Sequence, residues 1–176
     1  MQTFIIAALS ADGYIAKDAQ HSPFNWTSKA DKKRFIEITK KAGAIVVGSN
    51  TYKTFPGPLK ERLNIVYSRG GAHFEGKEGQ IEITQDDPAK LLRSLEARGF
   101  TEVAICGGSA IYTMFMKAKV VDRIYLTVEP ILFGSGLRLF NEDMLFHLKL
   151  ISSAESESGA LLLEYSVDYS GNPKTN

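Results

Sequence analysis

Short apolar runs rich in β-branched residues alternate with stretches of helical period along most of this chain, and that alternation constrains the fold more than any other feature. Strand-like runs cover 3–9, 44–47, 63–67, 80–83, 102–106 and 123–128, with a later pair at 147–152 and 161–167. Helical spacing occupies 28–41, 88–98 and 109–119. Strands joined through helices lie parallel, because the crossover returns the chain to the same edge. The pattern therefore predicts an α/β fold with a mostly parallel central sheet and helices on both faces. The last two strands, separated only by 154–159, predict an antiparallel hairpin. A length of 176 residues suits one domain, expected over 1–169, with the polar stretch 170–176 as a disordered tail.

Charge and cysteine usage remove several classes of function. Twenty-one Lys and Arg residues nearly balance 20 Asp and Glu, so no basic field is expected to hold nucleic acid. No apolar stretch approaches the roughly 20 residues that cross a bilayer. The single cysteine, Cys106, can form no internal disulfide, and the first residues lack the pattern of a signal peptide, so a reducing cytoplasm is expected. His21, His73 and His147 are far apart, with no second cysteine, and no zinc site is expected. A G-x-S-x-G elbow is absent, which removes the usual hydrolase signal.

Two local features carry chemistry, and each has two readings. In "VAICGGSAIYTMF" an apolar strand meets a helix at Gly107 and Gly108. Such a turn either satisfies a positive φ alone, or brings free amides and a helix N-terminus to an anion. The second feature is Asp31, which follows a long loop, 10–27, containing Trp26. Counting from Asp31, positions i+4, i+7 and i+11 are Phe35, Ile38 and Ala42, so the carboxylate shares the apolar stripe of its helix. The same residue also completes a capping box, Ser28-Lys29-Ala30-Asp31, in which it only returns a bond to the cap amide.

In order along the chain, "FIIAALSADGYIA", "WTSKADKKRF", "VVGSNTYKTF", "LKERLNIVYSR", "ICGGSAIY" and "IYLTVEP" resemble the dihydrofolate reductase superfamily, which includes the reductase domain of riboflavin biosynthesis. The resemblance runs from Thr3 to about Phe140, more loosely through the hairpin, and implies a three-layer dihydrofolate-reductase-like fold. It implies NADPH as cofactor and a pterin or pyrimidine as substrate. Asp31 and Trp26 become the implied catalytic residues, the first holding the substrate ring and the second ordering a water. Ala8, Phe35, Arg62 and Thr127 are implied at the substrate, with Arg62 facing its acidic tail. Ile15, Gly48, Thr51, Ser68, Arg69, Gly107, Gly108, Ser109, Ala110 and Ile111 are implied at the cofactor. The glycine pair is commonly a cis peptide in the superfamily.

Departures from the family pattern matter as much. Ser49 stands where reductases of this superfamily usually carry a basic residue, so selection of a 2'-phosphate falls to Ser68 and Arg69. The loop from Ala16 to Trp26 is longer than usual. "LSADGYIA" and "EPILFGSGLRLF" look more like the riboflavin-pathway branch, and the second segment implies a homodimer. That branch, however, normally follows its second strand with an acidic Asp-Asp-Pro segment, where this chain has "NTYKTFPGPLKERLN". No deaminase zinc signature accompanies it. Dihydrofolate is the expected first substrate, a ribosylaminouracil phosphate the alternative, and a nucleotide-binding regulatory protein the reading from another class.

Overall fold

A computed structural model describes residues 1–68 and 77–170. The chain runs through β1 (Gln2–Ser10), β2 (Tyr14–Ala16), a 3-10 turn (Pro23–Asn25), α1 (Lys29–Ala42), β3 (Ala44–Gly48), α2 (Ser49–Tyr52) and β4 (Leu63–Tyr67). It continues through β5 (Ile81–Thr84), α3 (Pro88–Ala97), β6 (Glu102–Ile105), α4 (Ser109–Lys117), β7 (Arg123–Glu129), β8 (Leu137–Arg138), β9 (His147–Glu155) and β10 (Leu161–Asp168).

Eight strands form one sheet in the order β5-β4-β3-β6-β1-β7-β10-β9. Every pair from β5 to β7 is parallel, while β10 pairs antiparallel with both β7 and β9. The expected C-terminal hairpin is therefore present. Its strands sit at one end of the sheet, with β9 as the edge.

Alternation along the strands divides the core in two. Ile5, Val46, Ile65 and Ile105 face α3 and α4, where they meet Leu91, Leu95, Ile111 and Phe115. Phe4, Ile6, Ile45 and Ala104 point to the opposite face and pack against Phe35, Ile38 and Ala42 of α1. Strands buried on both faces read as continuous apolar runs, which is why the alternation expected of a one-sided sheet is missing here. Burying a side chain of this size stabilises by roughly 1.5–3 kcal/mol. The stripe that runs from Asp31 through Phe35, Ile38 and Ala42 is thus the inner face of α1. Arg34, on the same helix, ties it to the sheet by donating to Leu126 O and Leu163 O, each at 2.9 Å.

The short β2–β8 pair and the single-turn α2 have no counterpart in the sequence reading. β2 and β8 pair antiparallel across the mouth of the sheet, and α2 is a single turn after β3. Asp12 reinforces the first of these by accepting from the amides of Phe133 and Gly134. Among the described residues no helix is long and apolar enough to cross a membrane.

Candidate active site

A cavity of about 690 Å³ opens at the carboxyl ends of the parallel strands. Its wall includes Ala8 from β1, Gly48 from β3, Ser68 after β4, Thr84 from β5, and Cys106 and Gly107 after β6. Parallel α/β sheets bind ligands there, because helix N-termini and flexible connections converge on that edge.

At one end stands Asp31. Ser28 caps α1, its Oγ accepting from the Asp31 amide at 3.2 Å. The return half of a capping box is not made by Asp31. Glu129, at the end of β7, takes the Ser28 amide instead, with its Oε1 at 2.8 Å. The capping reading is thereby corrected: only the serine half of the box exists, and the Asp31 side chain lines the cavity. The hydroxyls of Thr127, on β7 and 2% exposed, and of Thr27 stand beside the carboxyl and favour its charged form. Burial pushes its proton affinity above the ordinary aspartate value, opposed by the two hydroxyls, raised further by the nearby Glu129 charge and lowered by Arg34. Asp31 thus sits beside neutral hydroxyls in a site whose burial raises its proton affinity.

The other end is made of backbone. The Gly107–Gly108 peptide is cis, and Gly107 has φ 107°, a region that L side chains rarely enter. A Cβ at Gly107 would lie 2.9 Å from the Tyr112 hydroxyl, which is itself engaged at Ile6 O. Gly107 O accepts from the Gly48 amide at 2.7 Å, joining the two strand ends. Gly108 then caps α4 without a side chain, and the amides of Ile111 and Tyr112 return to Gly108 O. The amides of Ser109 and Ala110 begin the helix beyond reach of an intrahelical acceptor, on the cavity wall. The Ser109 hydroxyl donates to Arg138 O, which fixes β8 against this end. A turn with no side chains, opening the nine-residue helix α4, fits the phosphates of a dinucleotide.

The cavity brings together Ala8, Ile15, Asp31, Phe35, Gly48, Thr51, Ser68, Gly107, Gly108, Ser109, Ala110 and Ile111. Thr127 stands behind the wall and reaches the site through Asp31. Trp26 also stands behind it, with its ring centroid 6.1 Å from that of the cavity-lining His21 and 5.0 Å from that of Phe133. Its Nε1 is buried and meets no acceptor among the described residues. Arg62 requires a correction. Rather than facing the cavity it is 8% exposed, with Nε donating to Lys60 O and Nη1 to Thr39 Oγ1 at 2.6 Å. A guanidinium so engaged is part of the packing beneath α1. Arg69 lies outside the described residues.

Sequence reasoning missed several groups. Lys32 lines the cavity one residue after Asp31, and Phe24 and Phe55 form an aromatic wall with centroids 5.5 Å apart. Tyr112 follows the glycine turn and closes its floor. Glu129 carries no local signal at all, since its partner is 101 residues away. Only the apolar character of the 24–55 aromatics could have suggested their place.

Comparison with known proteins identifies the family and the fold. The family model of the RibD C-terminal domain matches residues 3–162. The bifunctional dihydrofolate reductase-thymidylate synthase of Acanthamoeba polyphaga mimivirus is 33% identical over 135 residues, 70% of this chain. The match spans only 23% of that longer protein. Among solved structures, a putative riboflavin biosynthesis protein from Shewanella sp. PV-4 superposes with a TM-score of 0.74 at 23% identity, covering 96% of this chain and 99% of the other. Dihydrofolate reductase from Enterococcus faecalis, complexed with NADP(H), gives 0.72 at 19% identity, covering 95% and 96%. The sheet order, the glycine turn and the acid of α1 therefore come together in one conclusion: the chain belongs to the RibD C-terminal domain family, with a dihydrofolate-reductase-like fold.

Proposed function

We propose that this protein is an NADPH-dependent reductase acting on a pterin, with dihydrofolate as first substrate. The observation that carries the reading is Asp31, released from its helix cap and turned to the cavity. A carboxyl there takes the two adjacent N–H donors of a 2-amino-4-oxo ring, one on each oxygen. The bound cofactor supplies the hydride. Gly107, Gly108 and the first amides of α4 would hold the dinucleotide, Phe35 and Ala8 would flank the substrate ring, and Thr127, beside the Asp31 carboxyl, would keep it in position. The nitrogen of the substrate's reducible C=N bond must take a proton. Asp31 would raise the basicity of that nitrogen, and the unpartnered Trp26 Nε1–H is the donor that would order a water to carry the proton. A cavity that orients substrate and cofactor together would supply the rest of the rate.

A second reading is favoured by Lys32. With Arg62 turned into the packing, Lys32 is the one Lys or Arg on the cavity wall among the described residues. A ribosylaminouracil phosphate would set its phosphate against that ammonium. Purified protein mixed with NADPH and each substrate, followed by absorbance of the reduced nicotinamide, separates the readings. Turnover with dihydrofolate supports the first, turnover only with the phosphorylated pyrimidine the second. Cofactor binding with no turnover on either would indicate a regulatory nucleotide binder.

The reading extends to assembly as a homodimer in the cytoplasm. Eight of the ten large apolar side chains exposed among the described residues fall between 131 and 161, and β9 is an open sheet edge. Lys149 near one end of β9 and Glu155 at the other would face each other in an antiparallel pairing of two copies. Light scattering should give twice the chain mass. A monomer at micromolar concentration would exclude that pairing.

A further inference from the structure

Two carboxylates could satisfy the Ser28 amide. Asp31 is the nearer in sequence, at the third position of the capping box, and Glu129 reaches it from the sheet. Glu129 wins in the structure. It is 4% exposed, its own carbonyl is held by the Ile131 amide at 2.8 Å, and its strand is fixed opposite Ser10 of β1. A side chain anchored in a rigid sheet loses little freedom when it binds, whereas Asp31 would have to leave the hydroxyls of Thr127 and Thr27. We infer that Glu129 is a positioning residue for Asp31: by occupying the Ser28 amide it keeps the Asp31 carboxyl turned to the cavity. The inference rests on the reading of Asp31 as the substrate-binding acid for its catalytic meaning, but the hold itself is a property of the ligand-free protein.

The charge of Glu129 acts in the same direction as its hydrogen bond. Asp31 is faced by Glu129 from β7, Arg34 from its own helix and Tyr112 from α4. Asp18, His21, Lys32 and Cys106 share the cavity with it. Among these, Glu129 is the buried anion that disfavours a second negative charge on Asp31, and Arg34 opposes it.

Glu129→Gln keeps an acceptor for the Ser28 amide and removes the charge. Glu129→Ala removes both and offers the amide to Asp31. Each variant is followed by carbon-detected NMR titration of the Asp31 carboxyl without ligand, with melting temperature as the check of folding. The pH profile of kcat/KM is recorded in parallel. In Glu129→Gln we expect Asp31 to titrate at lower pH, and the ionisation in the kcat/KM profile to move with it. In Glu129→Ala we expect Asp31 to titrate lower again, now that an amide donates to its charged form, and kcat/KM to fall by ~10-fold at neutral pH. An Asp31 titration in folded Glu129→Ala no lower than in Glu129→Gln, or wild-type kcat/KM in folded Glu129→Ala, overturns the inference. Asp31→Asn serves as the control: wild-type turnover there would refute the role of Asp31 in reduction, while the titration still decides whether Glu129 holds it.

Discussion

The two ends of the cavity are made of different materials. At the acid end, side chains do the work, and their partners come from α1, the loop before it and β7, far apart in the chain. At the glycine end the backbone does it, with Gly48 N on Gly107 O and the first amides of α4 exposed. On the proposed reading the acid end discriminates between substrate rings, because a carboxyl demands particular donors and its charge can be tuned by neighbours. On the same reading the glycine end would accept a phosphate by shape and dipole, which change little with pH. A substitution at one end should therefore alter chemistry and pH dependence, and at the other should alter stability or cofactor affinity.

The largest expected effect is at Asp31. Asparagine cannot take two charge-assisted donors and no longer favours protonation of the substrate, so Asp31→Asn should lower kcat/KM by ~100-fold or more at neutral pH. Activity should recover in part as the pH falls, and cofactor affinity should stay unchanged. Stability should move the other way. Because the Asp31 carboxyl is raised by burial, the native protein binds that proton more tightly than the unfolded chain, whose aspartates titrate near about 3.9. This contribution is complete below the unfolded value and is lost as the pH rises through the raised native one. The melting temperature of Asp31→Asn relative to wild type should thus climb across that window and level off above it. A constant difference would mean that Asp31 titrates as in the unfolded chain.

The two glycines are expected to part company, with the larger effect at Gly107. Alanine there would adopt a φ of 107° and meet the Tyr112 hydroxyl, whose bond to Ile6 O leaves it little room to move. Gly107→Ala should cost ~2 kcal/mol of stability, measured by urea denaturation. Gly108 has an ordinary φ of −78°, and its added methyl would meet only the Thr51 hydroxyl, at 2.9 Å. Gly108→Ala should lose under ~1 kcal/mol of stability yet, on the proposed reading, weaken NADPH by ~10-fold, since the methyl would meet the dinucleotide. Equal affinity in a folded Gly108→Ala protein would return this turn to a purely structural role.

How legible each end was follows from the same difference. The strands and long helices declare themselves through periodicity, and the glycine turn lies within one strand-helix junction, so its position is visible in eight consecutive residues. The acid end is not local. Asp31 in isolation fits a capping box, and nothing near Ser28 shows that Glu129 will take the amide, since the two meet only after β7 is laid beside β1. Arg62 fails for a related reason: its motif position is right, but whether a long side chain turns to the cavity or beneath α1 is decided by Thr39, which offers it a buried acceptor. β2 and β8, of three and two residues, are too short to show a period. Their pairing depends on Asp12 and the amides of Phe133 and Gly134.

The smallest expected effect bears on which substrate enters, and it compares two cations. Arg62 donates to Lys60 O and Thr39 Oγ1 and is nearly enclosed. Arg62→Met should therefore cost stability of ~1–2 kcal/mol, the worth of buried bonds to a charged donor, and leave KM unchanged for either candidate substrate. Lys32 lines the cavity and lies partly open to solvent, where an ion pair contributes under ~1 kcal/mol. Lys32→Ala should then raise KM by ~3- to 5-fold for the substrate whose anionic group lies against it, with kcat and stability barely altered. If the phosphorylated pyrimidine is that substrate, added salt should produce a similar loss in the wild type and none in Lys32→Ala, because screening and removal act on the same attraction. A rise in KM for dihydrofolate in Arg62→Met, without one in Lys32→Ala, would reverse the assignment and require Arg62 to leave Thr39 when substrate arrives.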